Sequence, residues 1–375
     1  MTILIAPDKF KGSLSAREVC EAIRIGLLKL DPSLTIVTIP LADGGEGTSE
    51  LLTYNSNGSI IHCSVSDPLF RKINTTYGIS GDGYTAFIEM ASASGLHLLS
   101  KEEQNPLKTT TYGTGELIAD AIRHGVRKIV LAIGGSATND AGIGMAAALG
   151  MKFIDRNGKE LQPIGANLVY IHSIVDETKL LKQNKIEAIV LCDVDNELYG
   201  PRGAAFVYGP QKGADAQAVQ LLDQGLKHFA SVVEKELNQD VHFPGAGAAG
   251  GLGAGAKVFL NATFNRGIDF ILKALKLEDQ IKLADLIITG EGKMDEQTLS
   301  GKVVMGVAEL SRKYYKPVLA IVGKNELSEK QLASIGLQKI IPLVDEKTNH
   351  SESMKNTSKI ITERVVTRIN LEDYC

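Results

Sequence analysis

Residues 1–40 read MTILIAPDKFKGSLSAREVCEAIRIGLLKLDPSLTIVTIP, and the order of patterns within them decides the fold class. TILIAP at 2–7 is a short apolar run closed by proline and charge, which reads as a strand. Ser15 and Glu18 stand at the spacing of a capping box, in which the two side chains satisfy each other's backbone N–H groups. A helix is therefore predicted from about Ser15 to Leu30. LTIVTIP at 34–40 reads as a second strand. Strand, helix and strand in this order argue for α/β architecture.

The alternation continues along the chain. Strands are predicted at 59–65, 72–79, 84–90, 128–133, 186–192 and 286–289, and helices at 115–124, 216–238 and 301–315, which favours largely parallel sheets. The last ninety residues run strand, helix, strand (PVLAIVG), helix, strand (LQKIIPL) and a closing helix. That tail reads as half of a doubly wound sheet and the opening segment as the other half. One domain made of both chain ends, 1–66 and 284–375, is expected, with 67–283 forming an inserted α/β domain.

The 375 residues are 44% hydrophobic and 22% charged, a mixture that supports two ordinary cores and argues against long disordered stretches. A net charge of -4 without a Lys/Arg block gives no footing for nucleic acid or an anionic membrane. No apolar run approaches the ~20 residues that span a bilayer, and MTILIAPDKF lacks the core of an export signal, so a soluble, cytoplasmic protein is expected. Cys20, Cys63, Cys192 and Cys375 are scattered, and no histidines stand at H-E-x-x-H spacing. Reduced thiols and no structural zinc are expected.

Glycine marks where chemistry would sit. Apolar runs end in LADGGEGT (41–48), IGGSATND (133–140) and ITGEGKMDEQTLSGK (288–302). In parallel α/β sheets ligands bind at the carboxyl ends of strands, where glycine lets backbone N–H groups approach an anion beside a helix N-terminus. The same loops carry the acids Asp43, Glu46, Asp140, Glu291 and Asp295, each of which alone would serve equally well as a helix cap. Together they supply what phosphoryl transfer needs: donors and cations for phosphates, carboxylates for Mg²⁺, and an acceptor beside the attacking hydroxyl. Lys9 and Lys11 in PDKFKGSLSA (7–16) would project to one side of an extended loop just before Gly12 and Ser13, which suits a carboxylate or phosphate. Lys212 in GPQKGA and Lys302 in SGK are further cations. The P-loop pattern is absent, because Gly301-Lys302 is followed by Val303 and residue 296 is Glu. Gly245, Gly247 and Gly250 satisfy G-x-G-x-x-G, but HFP precedes them rather than a clear strand. PGAGAAGGLG (244–253) reads equally as a phosphate-facing loop or as the close-packed start of a helix.

PDKFKGSLSA, PLADGGEGT, EMASASGL, TTTYGTGELI, GGSATNDAGIGM, CDVDN, GPQKGA, PGAGAAGGLG and TGEGKMDEQTLSGK, in that order from Pro7 to Lys302, resemble the type-1, bacterial glycerate kinase family. Two departures are Ala141, where a glycine is common, and Asn196-Glu197-Leu198, where Asn-Pro-Leu is frequent. The resemblance implies phosphorylation of D-glycerate by ATP with Mg²⁺ in the cytoplasm, within glyoxylate, glucarate or galactarate breakdown. It also implies a Rossmann-like three-layer α/β/α domain from both chain ends, a central inserted α/β domain and a site in the cleft. The 2-hydroxyl is the implied nucleophile, with the 3-hydroxyl as alternative. The enzyme would be a monomer or homodimer.

On that reading Asp295 accepts the hydroxyl proton, with Asp43 second, and Lys11 assists. Lys9 or Lys11 meets the carboxylate of glycerate. Ser13, Gly44, Gly45, Ser136, Thr138, Asn139 and Asp140 join Lys9 as substrate contacts; Gly134, Gly135, Lys212, Gly290, Gly292 and Lys302 bind the nucleotide. Asp193 and Asp195, following the strand in IEAIVLCDVD, hold Mg²⁺. The GGSATND loop is expected where the two substrates meet. Two other classes stay open: an NAD-dependent hydroxy-acid dehydrogenase resting on Gly245 to Gly250, and a two-lobed solute-binding protein, which would carry an export signal.

Overall fold

The computed structural model describes residues 1–178, 184–299, 302–344 and 354–374; Ser300, Gly301 and Cys375 of the motifs and thiols above lie outside them. Numbered along the chain, the strands are β1 (Thr2–Pro7), β2 (Thr35–Thr38), β3 (Ser59–Ser66), β4 (Lys72–Ile79), β5 (Thr85–Glu89), β6 (Lys128–Ala132), β7 (Met151–Ile154), β8 (Ser173–Asp176), β9 (Glu187–Leu191), β10 (Thr263–Asn265), β11 (Leu286–Met294), β12 (Val318–Asn325) and β13 (Lys339–Pro342). The fold is mixed α/β and divides into two compact units, Met1–Asp43 with Gly267–Cys375, and Gly44–Arg266. These limits differ from the expected 66/67 and 283/284. β3 pairs with β4 from Ser59↔Ile79 to Ser66↔Lys72, so it belongs to the sheet of the central unit. The helices Gly267–Ala274 and Leu277–Leu283 go with the end-built unit, where Ile268 lies so close to Gly306 that a Cβ there would stand 2.6 Å from its Cγ1.

In the end-built unit five parallel strands run in the order β13-β12-β11-β1-β2. From β1 the chain crosses to β2 in one direction, and from β11 it crosses to β12 and β13 in the other. Right-handed crossovers then place the intervening helices on opposite faces. Helix Ala16–Leu30 packs Val19, Ile23 and Leu27 against Ile3, Ile5, Ile288 and Ile321, joined by Ile361 and Val365 of helix Thr357–Arg368. Helices Val303–Arg312 and Glu329–Ile335 cover the other face through Val304, Ala308 and Ile335 against Ala320 and Val322. Burial on both faces explains the unbroken apolar runs TILIAP and VLAIV. The predicted capping box forms: Ser15 Oγ accepts the Glu18 N–H at 3.3 Å and Glu18 Oε2 accepts the Ser15 N–H at 2.8 Å. Strand order reverses between β1 and β11, and in open α/β sheets the ligand crevice lies outside the carboxyl ends at such a reversal.

In the central unit six strands run β10-β9-β6-β5-β4-β3. β5, β6, β9 and β10 are parallel, whereas β3 and β4 form an antiparallel hairpin, and β4 is antiparallel to β5. The departure from a largely parallel sheet follows from the connection 67–71, which is too short for a crossover. Asp67 shapes it, its Oδ1 accepting the N–H groups of Leu69 and Arg71 at 2.8 and 2.9 Å. One core joins this sheet to helix Tyr112–Arg123 through Leu117 and Ile118; a second gathers Leu222, Leu226 and Phe229 of helix Ala216–Leu237 around Phe153 and Leu168. Cys20, Cys63 and Cys192 carry free thiols. Among the described residues no helix is long and apolar enough to cross a membrane.

Candidate functional site

Three carboxylates gather at the reversal point of the end-built unit. Asp8 follows β1, and its N–H donates to Gly290 O at 2.8 Å, next to Glu291 of β11. Asp43 ends the segment in which the Leu41 N–H donates to Pro7 O at 2.8 Å. Burial, reinforced by the charge of Asp43, pushes Asp8 up to about 7. Burial also pushes Glu291 up to about 7, although the Thr298 hydroxyl donates to its Oε1 at 2.6 Å. Lys302 Nζ stands 3.7 Å from Asp43 Oδ2, and its charge opposes the rise at both buried carboxyls. Asp295, just beyond β11, has Lys293 Nζ 3.4 Å from its Oδ2 and donates its N–H to Thr298 Oγ1 at 3.1 Å. Asp8, between the strand end and Lys9, is not among the acids singled out in the sequence, where the lysines of PDKFK draw the attention. Its signal was the one used for the other acids, a carboxylate at the carboxyl end of a strand.

Several expected roles in this unit change. Residues 10–14 form a tight turn, with the Phe10 N–H donating to Leu14 O at 2.8 Å and the Ser13 N–H to Phe10 O at 2.8 Å. The extended loop that would carry Lys9 and Lys11 on one side is therefore absent, and Lys11 is exposed while Lys9 is half-buried. The Ser13 hydroxyl bonds Thr357 Oγ1 and lies 3.2 Å from Met354 O, fastening the turn to the start of the last helix instead of facing a substrate. β11 runs on to Met294 rather than stopping at Thr289, since its pairing with β12 continues to Met294↔Asn325. Gly290 and Gly292 are thus strand residues chosen for close approach. A Cβ would stand 2.2 Å from Ile321 O at the first and 3.2 Å from the Lys11 nitrogen at the second.

In the central unit Gly45 of the first glycine loop and Gly134 of GGSATND lie side by side, a Cβ on Gly134 being only 3.7 Å from Gly45 Cα. Gly134 and Gly135 are exposed, and Gly44 and Gly135 take φ of 88° and 77°, the left-handed region that favours glycine. Glu89 at the end of β5 holds the first loop, its Oε1 accepting the N–H groups of Gly47 and Ser49, both at 2.9 Å. Behind the second loop lies Lys212, 2% exposed, whose Nζ donates to Ser136 Oγ and Thr138 O, both at 2.7 Å. Burial pushes this ammonium down to about 7, against the pull of the Asp140 charge. Lys212 therefore braces the loop from beneath, where the expectation had a nucleotide contact.

Asp140 is equally enclosed. Its Oδ2 accepts the N–H and O–H of Thr111 at 2.7 and 2.8 Å and the Gly144 N–H at 3.2 Å, while Oδ1 accepts the Gly142 N–H at 3.1 Å. Burial raises its pKa in spite of these bonds. It anchors two helix starts to each other rather than meeting a substrate. Thr138 and Asn139 are buried as well, and the Thr138 hydroxyl and the Asn139 amide have no hydrogen-bond partner among the described residues. Their backbone abuts PGAGAAGGLG: the Ala141 N–H donates to Gly250 O at 3.1 Å, and a Cβ on Gly250 would stand 2.0 Å from Thr138 O. Ala249, Gly250 and Gly251 take φ of 54°, 71° and 88° inside the helix Ala248–Leu260. Of its two readings, that segment takes the close-packed one. Gly247 donates its N–H to Asn196 O at 2.9 Å, and among the described residues no strand leads into Gly245, so the dinucleotide fingerprint lacks its context.

Asp193 and Asp195 stand exposed beyond β9, with Arg202 Nη2 3.8 Å from Asp195 Oδ2. Among the described residues no group of three or more His, Cys, Asp or Glu side chains is placed to hold a metal ion.

Comparison with known proteins agrees with the family resemblance. The glycerate kinase family profile matches residues 3–371. A glycerate 2-kinase of Escherichia coli K12 is 49% identical over 325 residues, covering 86% of this chain and 85% of that one. A glycerate kinase of Bacillus subtilis 168 is 44% identical over 369 residues, covering 96% and 97%. Among solved structures, a candidate glycerate kinase 2 of Salmonella typhimurium LT2 superposes with a TM-score of 0.87 at 41% identity, covering 98% of this chain and 96% of that one.

Proposed function

The chain belongs to the glycerate kinase family and is an enzyme of the kinase type, and from that premise we propose that it moves the γ-phosphoryl group of ATP to the 2-hydroxyl of D-glycerate, giving 2-phosphoglycerate and ADP. The choice of the 2-hydroxyl is supported by similarity to the relative named glycerate 2-kinase. The observation that carries the chemical assignment is the meeting of Asp8, Asp43, Glu291 and Lys302 where strand order reverses. Phosphoryl transfer is a matter of alignment and charge neutralisation, and this cluster offers both signs of charge in a partly desolvated setting.

Mg²⁺ is the ion that such chemistry implies, and the donor set fits one. Asp8 and Asp43 are hard oxygen donors, the Asp8 pKa is raised first by burial and then by the neighbouring Asp43 charge, and Mg²⁺ is commonly held by one or two carboxylates together with substrate phosphates. Bound there, the ion would neutralise charge on the phosphates. We assign it to Asp8 and Asp43 in place of the exposed Asp193 and Asp195. Asp295, near the same strand end and partly exposed, accepts the proton of the attacking hydroxyl. Lys302 meets phosphate, and Lys9 or Lys11 meets the carboxylate of glycerate. The N–H groups of Gly44, Gly45, Gly134 and Gly135 face substrate oxyanions.

The test is to incubate the purified protein with ATP, Mg²⁺ and D-glycerate and follow ADP. Release of ADP that depends on D-glycerate is expected; ADP release no faster with glycerate than without it overturns the reading.

A further inference from the structure

We infer that the Ser136 hydroxyl donates a hydrogen bond to an oxyanion of a substrate, and that Lys212 is the positioning residue that aims it. The inference rests on the functional reading above and assigns to two residues of the GGSATND wall a division of labour that the family match does not supply.

In its protonated form Lys212 has no acceptor capacity, so at 2.7 Å the ammonium donates to Ser136 Oγ. The serine oxygen is thereby committed as acceptor on its inner side. The hydroxyl proton remains, and among the described residues the Ser136 side chain has no other hydrogen-bond partner. Ser136 is 7% exposed and directly follows the exposed pair Gly134-Gly135, so its outer side is the route by which a ligand oxygen arrives. A hydroxyl that accepts from a cation is a stronger donor on its other side, because the two bonds polarise each other.

The backbone around Ser136 leaves the hydroxyl little freedom to be aimed any other way. The Leu96 N–H donates to Gly135 O and the Ala137 N–H to Ser94 O, both at 2.9 Å, so the residues on either side are tied to one neighbouring segment. Lys212 is fixed in turn by the bond from its own N–H to Gly209 O at 3.0 Å. Its second side-chain bond, to Thr138 O, grips the loop two residues further on. At 2% exposure its ammonium group is itself out of reach of a phosphate, which leaves the loop as its means of acting.

The test is a double-mutant cycle on the full-length enzyme with S136A, S136T, K212M and S136A/K212M, read as kcat and KM for ATP and D-glycerate beside melting temperature. S136A is expected to lower kcat/KM by roughly tenfold to a hundredfold while melting close to the parent, and S136T, which keeps the hydroxyl, to restore most of the loss. K212M should lose a similar factor, and the double variant should be no worse than the poorer single one, because the two act as a unit. An S136A enzyme with the parent's kcat/KM overturns the inference, and so do losses that multiply in the double variant. Should K212M fail to fold, S136A against S136T decides alone. A parent without glycerate-dependent ADP release refutes the functional reading itself, whereas an active parent with a fully active S136A refutes only this inference.

Discussion

Lys302 Nζ and Asp43 Oδ2 lie 3.7 Å apart, although Asp43 follows β2 and Lys302 caps helix Val303–Arg312 beyond β11. The pair exists because β11, β1 and β2 are neighbours in a parallel sheet, so segments distant in sequence leave it at the same edge. Its surroundings hold more negative than positive charge, which is the electrostatic condition for taking up a cation and a phosphate together.

If charge neutralisation outweighs proton transfer, removing Lys302 should hurt at least as much as removing the supposed base. Lys302→Ala is expected to lower kcat/KM by about 10²–10³, the scale of losing one preorganised donor to a developing charge, with Asp295→Asn losing no more. Steady-state kinetics on both variants decide this, and an Asp295→Asn loss far exceeding that of Lys302→Ala would show that proton transfer dominates.

The two raised carboxyls make the fold sensitive to pH in a defined direction. Between about pH 4 and 7 the folded protein keeps protons on Asp8 and Glu291 that the unfolded chain has released, so the contribution of these groups to stability falls as pH rises through that window. Lys212 acts oppositely, since between about 7 and 10.5 the unfolded chain holds a proton that the fold excludes, and its contribution rises with pH there. In urea unfolding without nucleotide or metal, an Asp8→Asn/Glu291→Gln variant should gain stability relative to the parent between pH 5 and pH 8. A difference that stays constant across that interval would contradict the placement of these carboxyls.

Glu89 caps a helix from another strand. Gly47 precedes helix Thr48–Asn55 without a side chain of its own, and Glu89 Oε1 takes up two N–H groups at that helix start. Glu89→Ala should cost about 1–2 kcal/mol, the usual worth of a cap, and raise KM more than it lowers kcat by loosening the LADGGEGT loop. Denaturant melts together with kinetics test both halves.

Contrasting glycine substitutions probe the packing of PGAGAAGGLG. Gly250→Ala puts a methyl 2.0 Å from Thr138 O at a φ of 71°, so it should destabilise by more than about 2 kcal/mol. Ala141→Gly removes a side chain from a φ of 52°, and the relief of strain roughly offsets the added freedom of the unfolded chain, leaving a change within about 1 kcal/mol. Thermal melts of equal size for the two variants would argue against the tight contact.

The parts of the molecule set by local pattern were legible in advance. TILIAP, the Ser15–Glu18 capping box and LTIVTIP foretold strand, helix and strand, and the tail foretold the other half of the same sheet. Properties that depend on partners far along the chain were not legible. β3 went to the central sheet because β4 pairs with it, and β11 outran its apolar run because β12 continues beside it. The same holds at the site. Asp140 reads as a helix cap or a substrate contact until Thr111, 29 residues earlier, encloses it; Lys212 reads as a nucleotide-binding lysine until Ser136, 76 residues earlier, proves to be its partner. Residue type marked these loops as polar and glycine-rich, and only burial separated the exposed Gly134 and Gly135 from the enclosed Asp140 and Lys212 behind them.

The central claim is transfer to the 2-hydroxyl of D-glycerate, and proton-coupled phosphorus NMR of the product tests it most directly. A phosphate on carbon 2 couples to one proton and gives a doublet, which is the predicted signal. A triplet, from the two protons of carbon 3, would contradict the proposed regiochemistry, and no phosphoglycerate signal at all would contradict the function.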